Sequence, residues 1–160
     1  MGMSRTLQRY LDAHRVRYKL VPHRRTASAI ATAHAANVPA GCLAKSVVLE
    51  DARGYLLAVL PANHRLELSS LQSMLKRELD LASEREAESL FGDCEPGAIP
   101  PFGEPYGVEE VVDDSLRESP AVFFESGDHG ALVCVSNRVF RTLVRRCRHG
   151  RFSERRDNVI

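Results

Sequence analysis

No stretch of this 160-residue sequence stays apolar for the roughly 20 residues that a bilayer span requires, and its longest apolar runs, such as residues 56–61, are the length of one strand. Its opening residues, Met1, Gly2, Met3, Ser4 and Arg5, hold no signal-peptide core, so a cytoplasmic protein with no membrane partner is expected. Cysteine pairs are missing too. Cys42, Cys94, Cys134 and Cys147 stand apart with no C-x-x-C motif, and a domain of this length needs no disulfide staples. The one short spacing, Cys147 with His149, does not supply the four ligands of a zinc site, so neither a metal nor another cofactor is expected. There is no G-x-S-x-G elbow, no G-x-x-x-x-G-K-[ST] loop and no G-x-G-x-x-G turn, which sets aside serine hydrolases, P-loop NTPases and Rossmann dehydrogenases.

What is present fits one globular domain, with 44% apolar and 27% charged residues. The domain is expected to span residues 1–150, with residues 151–160 as a basic tail. A net charge of +1 hides a segregated distribution. Residues 78–118 hold thirteen Asp or Glu against Arg85 and Arg117, whereas residues 138–156 hold eight arginines against Glu154. Arg5, Arg9, Arg15, Arg17, Lys19, Arg24 and Arg25 form a second basic group, and the two basic ends folded together would suit phosphates.

Periodicity places a helix after Ser4, with Leu7, Tyr10, Leu11 and His14 at three- and four-residue steps, then a strand in which Val16, Tyr18 and Leu20 alternate with Arg17 and Lys19. Thr26 is expected to cap an alanine-rich helix ending near Asn37. Residues 43–49 and 55–60 read as a hairpin around the turn 50–54. Ser69 opens a helix through Leu79, and Ser83 with Glu86 forms a capping box on a short helix to Phe91. Residues 92–107 are crowded with glycine and proline and must be a loop. Strands over 108–112, 121–124 and through Leu132 and Cys134 follow, then a helix capped by Ser136 with Val139, Phe140, Leu143, Val144 and Cys147 on one face and arginines on the other. The sum is an α+β domain on a mixed, strongly curved sheet flanked by helices.

Three features carry chemistry. Lys45 shares a strand face with Leu43, Val47 and Leu49, where an ammonium group is costly unless paired or lining a polar cavity; an edge position snorkelling to water is the alternative. Residues 95–103, E-P-G-A-I-P-P-F-G, combine stiff prolines with glycines that let backbone N–H groups approach a carbonyl oxygen, or else form a rigid connector. His129 lies in a turn between strands, where an imidazole can act as acid, base or donor or simply face solvent.

The lysine strand L-A-K-S-V-V-L, the P-A-N ending at Asn63, the G-A-I-P-P-F-G loop and V-V-D-D-S-L at residues 111–116 resemble, in this order, the YbaK/ProX family of aminoacyl-tRNA deacylases, which includes the editing domain inserted in prolyl-tRNA synthetases. The resemblance covers roughly residues 18–135. It implies a barrel-like mixed sheet and hydrolysis of the ester joining a wrong amino acid to the terminal adenosine of a tRNA, with no side-chain nucleophile and no cofactor. On that resemblance Lys45 orients the adenosine end, Gly97 lends its N–H to the ester carbonyl and Pro101 completes the loop. Tyr18, His23, Ser46, Ala98, Ile99, Pro100, Phe102, Ser126, Gly127 and His129 would surround the substrate, with Ala98, Ile99 and Phe102 setting the size limit. Ser46 departs from the threonine or asparagine frequent after the family lysine, which leaves the amino acid open.

The partner implied is a mischarged tRNA, with an aminoacyl-tRNA synthetase as a second candidate and no DNA. Arg145, Arg146 and Arg148 would contact tRNA phosphates. Two other readings stand beside this one: a non-catalytic module that binds an RNA end or aminoacyl-nucleotide, and a scaffold subunit without a ligand.

Overall fold

The structure is a computed structural model that describes residues 2–156. Its centre is the hairpin β2 (Ala44–Asp51) and β3 (Gly54–Pro61), paired in register from Ala44 with Pro61 to Asp51 with Gly54. The expected five-residue turn tightens to Ala52 and Arg53, because the Asp51 carboxylate accepts the Arg53 N–H at 2.9 Å and the strands continue past Leu49. β3 then pairs in parallel with β6 (Glu109–Asp113), and β6 with β9 (Arg148–Gly150), while β5 (Asp80–Leu81) closes the far side of β2. Alternation gives this five-stranded sheet two apolar faces. Leu49, Leu56, Ala58, Leu60 and Val111 pack with Leu71 and Leu75 of α3 (Leu68–Leu75) and with Phe152, while Ala44, Val48, Leu57, Val59 and Val112 face the larger core. There Phe102 meets Tyr10, Phe124 and Phe140 at ring-centroid distances of 5.3, 5.0 and 5.9 Å.

A second, three-stranded sheet has the order β1 (Lys19–Pro22), β8 (Ala131–Ser136), β7 (Ala121–Glu125). Helix α2 (Ala29–Ala36) packs its small side chains with Leu132, Val21 and Phe123 of that sheet. The fold is mixed α+β, but the expected strongly curved, barrel-like sheet is not there. Among the described residues no sheet closes: Leu43, just before β2, meets Phe123 of β7 in an isolated bridge, and no ladder continues across it.

Several boundaries move for local reasons. Arg15 takes a left-handed φ of 53° and Val16 N–H returns to Leu11 O, so the end of α1 (Arg5–Ala13) uses residues expected in the first strand. Ser28, not Thr26, caps α2, and the Thr26 hydroxyl bonds Thr32 instead. Helix α3 starts after Glu67 with no side-chain cap and stops at Lys76, at φ 55°, short of Leu79. The Ser83–Glu86 capping box on α4 (Glu84–Leu90) is formed. Helix α5 (Asn137–Leu143) ends early, so Arg145 and Arg146 follow it and Arg148 lies in β9 rather than on a helical face.

The expected tail from residue 151 is largely built into the domain. Phe152 is buried, its N–H donates to Asp113 Oδ2 at 2.9 Å, and β10 (Ser153–Arg155) pairs with β4 (His64–Leu66). The expectation failed because arginines dominate this segment, yet one aromatic and backbone pairing suffice to dock it. Residues 157–160 lie outside the described residues.

One buried carboxyl has a consequence for stability. Burial pushes Glu110 up to about 8, although Gly103 N–H donates to its Oε1 at 2.6 Å. The folded state therefore holds a proton that the unfolded chain releases above the ordinary carboxylate range, so stability falls as pH rises between roughly 4.5 and 8. Glu110→Gln keeps the acceptor for Gly103 and removes the ionisation. Urea unfolding at pH 5 and pH 8 should show a smaller loss for the variant; an equal loss would move the effect elsewhere.

Candidate functional site

A cleft of about 770 Å³ opens between the segment leading into α2, the start of β2, α4 and the loop of residues 94–99. Lys45, Ser46, Gly97, Ile99 and His129 border it, together with Arg25, Thr32, Phe91, Cys94 and Glu125. Five of the residues singled out in the sequence thus meet in one place.

Lys45 stands opposite Leu60 on the strand face that carries Val47 and Leu49. Its ammonium group is held by two main-chain oxygens, Ala62 O at 3.2 Å and His64 O at 2.6 Å. Burial, with the nearby charge of Arg156, lowers its proton affinity. The lysine is therefore paired rather than snorkelling, and it ties the end of β3 to β4. Ser46 points to the opposite face, and its buried Oγ has no partner among the described residues.

The glycine–proline loop reaches the cleft at Gly97, whose φ of +80° is one that L side chains rarely adopt. A Cβ there would touch the His129 ring, 3.4 Å from Cε1. His129 Nε2 lies 2.5 Å from Pro96 O, and since a carbonyl only accepts, that nitrogen carries the proton. Nδ1 is buried and has no partner among the described residues. The turn is fixed from behind: Glu95 N–H donates to Gly127 O at 2.7 Å, and Arg25 holds the Glu95 carboxylate at 3.2 Å.

Glu125, which sequence reading missed, closes the far wall. It ends β7 on the face that carries Phe123 and packs against α2, and it is 9% exposed. Burial pushes its carboxyl up to about 8, with the negative charge of Asp128 adding to the effect. A charged residue closing an apolar strand reads as a strand boundary, so the residue type alone gave no signal. His23 lies behind it, fully buried, with Nε2 3.8 Å from Glu125 Oε1.

Cys94 borders the cleft but is not a ready nucleophile. Burial pushes its thiol up to about 11, and its sulfur sits 3.3 Å from the Tyr106 hydroxyl. At neutral pH it is a thiol, not a thiolate.

Other expected site residues lie elsewhere. Tyr18 is half-buried against the larger core, and Ala98, Pro100, Pro101 and Phe102 are buried inside it or beneath the loop. Ala98 and Phe102 therefore do not face the cleft, and among the three expected size-limiting residues only Ile99 does. The proline ring pair and Phe102 fill the core because they carry no group that needs solvent. Ser126 and Gly127 are scaffold: Ser126 Oγ donates to Ala131 O, its carbonyl accepts Ser4 N–H at 2.8 Å, and a Cβ on Gly127 would collide with Ser4. Arg145, with Arg117, Arg138 and Arg141, lines a separate cleft of about 440 Å³ floored by Leu116, Phe140 and Val144. Arg146 and Arg148 are exposed on the surface.

Residues 23–143 match the family model of the aminoacyl-tRNA editing domain. No curated protein matches the sequence significantly. Among solved structures, a hypothetical protein superposes with a TM-score of 0.82 at 22% identity, covering 93% of this chain and 99% of its own. A protein to which trans-editing for prolyl tRNA synthetase has been ascribed gives 0.79 at 24% identity, covering 94% and 96%. A Marinobacter aquaeolei VT8 protein to which signal transduction has been ascribed gives 0.74 at 24% identity, with 92% of this chain covering 30% of that one. At these identities the superpositions establish a shared fold.

Proposed function

The chain belongs to the aminoacyl-tRNA editing domain family, and from that premise we propose that it is a deacylase acting in trans, which hydrolyses the ester between a wrong amino acid and the 3′ end of a tRNA. The observation that carries this reading is the meeting of Lys45, Gly97 and His129 around one cleft whose only thiol is held protonated. An aminoacyl ester is already activated, so a positioned water and a donor to the developing oxyanion are enough. Gly97, with a backbone no side chain shields, supplies that N–H. The lone pair of His129 Nδ1 accepts from the attacking water or from a ribose hydroxyl. Lys45 brings fixed positive charge to the entrance for the adenosine phosphate. Ile99, Phe91, Ala87 and Leu43 form the apolar wall that limits the amino acid side chain, where each methylene is worth about 1–3 kcal/mol.

The body of the tRNA is held by the arginines of the C-terminal third, those lining the second cleft and the exposed Arg146 and Arg148. A prolyl-tRNA synthetase is the candidate partner, by analogy with the structural neighbour to which that editing role is ascribed.

The test is multiple-turnover release of amino acid from a panel of mischarged tRNAs, with binding followed across salt concentrations. Release from a restricted set of amino acids is expected, and neutralising Arg145, Arg146 and Arg148 should flatten the log–log salt slope by about 0.7–0.9 per lost contact. Binding without release from any member would replace the enzyme by a non-catalytic module.

A further inference from the structure

We propose that Glu125, backed by His23, is the receptor for the α-ammonium group of the aminoacyl ester, so that the cleft accepts free aminoacyl ends and rejects acyl groups without an α-amine. This rests on the deacylase reading for its substrate but on separate residues for its argument.

The carboxyl borders the cleft and is nine-tenths buried, and the Thr32 hydroxyl that reaches it also donates to Ser28 O at 3.0 Å. Oε2 has no partner among the described residues, and Oε1 lies 3.8 Å from His23 Nε2, beyond hydrogen-bond reach. His23 Nδ1 lies 2.8 Å from Arg24 O and donates to it, while Nε2, buried and without a hydrogen-bond partner among the described residues, faces the carboxyl. A carboxyl and an imidazole that both present acceptors form a receptor for a group with several N–H donors.

The surrounding charges agree. Glu95 and Asp128 both add negative potential at Glu125. The cations around the cleft are already committed: Arg25 to Glu95, and the Lys45 ammonium to the carbonyls of Ala62 and His64. His129 turns its protonated nitrogen to Pro96 O. Thr32, on α2, hydrogen-bonds to the carboxyl and lowers its proton affinity by less than burial raises it. Burial favours the protonated form of this carboxyl. When a neutral amine enters, the Glu125 proton moves to its nitrogen, and the products are an ammonium and a carboxylate paired in the same wall. A hydroxyl in the same position is too weak a base to take that proton.

The experiment compares a tRNA carrying the aminoacyl ester with one carrying the isosteric 2-hydroxyacyl ester, in the parent and in Glu125→Gln. It is paired with binding of the corresponding non-hydrolysable 3′-aminoacylamino and 3′-(2-hydroxyacyl)amino adenosines. The parent should prefer the amine by about 10–100-fold in kcat/KM and in Kd, the range of a hydrogen bond to a charged group, and the variant should bring both ratios near one. A merely structural role for Glu125 would lower activity on both esters and leave the ratio intact, which overturns the proposal, as does a parent indifferent to the amine. If the parent binds the amine probe preferentially but releases nothing, the receptor stands and the deacylase reading falls. If it binds neither probe, both fall.

Discussion

Lys45→Ala should reduce amino-acid release by about 10²–10³-fold, as large as the loss of one preorganised electrostatic donor, because the adenosine end loses the charge that orients it. The structure adds a second effect to this loss. Because the Lys45 ammonium donates to Ala62 O and His64 O, the variant leaves two carbonyls without their charged partner, and the thermal midpoint should fall as well. Single-turnover rates at a temperature well below the midpoint separate the two, and full activity there would remove Lys45 from the site. Gly97→Ala is the companion variant. A Cβ at φ +80° costs roughly 1–2 kcal/mol of backbone strain and meets the His129 ring, so release should fall with a smaller change in melting.

The largest effect on stability should come from Phe152→Ala. The ring is 1% exposed among Leu49, Leu60, Leu71 and Leu75, its N–H donates to the buried Asp113 carboxylate, and its carbonyl accepts Glu67 N–H at 2.7 Å. Removing it should cost about 3–5 kcal/mol in urea titration, whereas Phe152→Leu should cost less than about 1.5 kcal/mol. A loss below about 1 kcal/mol for the alanine variant would show that residues beyond Gly150 are peripheral after all.

The legible parts of this fold are those in which one local signal decides the outcome. Apolar alternation on both sides of Gly54 specifies the hairpin, and Ser83 with Glu86 specifies the start of α4. β9 and β10 had no such signal. R-H-G and S-E-R carry no apolar side chain, and they become strands only because β6 and β4 offer backbone groups to pair with. The same division holds at the cleft. Lys45, Gly97 and His129 stand out by residue type against their neighbours, and all three border it. Glu125 and the unpartnered nitrogen of His23 acquire meaning only from burial, which tertiary packing creates. Phe102 and Ala98 were misplaced for the converse reason: an apolar residue in a ligand-approaching loop can face either the ligand or the core, and here the core holds them.

The parallel pairing of β9 with β6 also bears on the order in which the chain can be completed. β6 is synthesised long before its neighbour, so Val111 and Val112 lie beside an open hydrogen-bonding edge until residues 148–150 leave the ribosome. The first residues are kept waiting as well, since the backbone of Ser4 docks on Ser126. The docking of Ser4 and of residues 148–150 are thus late closures of the same domain, and the nascent chain passes through an interval with an unpaired edge, the kind of intermediate that holdases and proteases recognise. A chain truncated after residue 147 should be cleaved by protease within the 104–113 region, whereas the full chain should resist; resistance of both would mean that the edge is protected without its last strand.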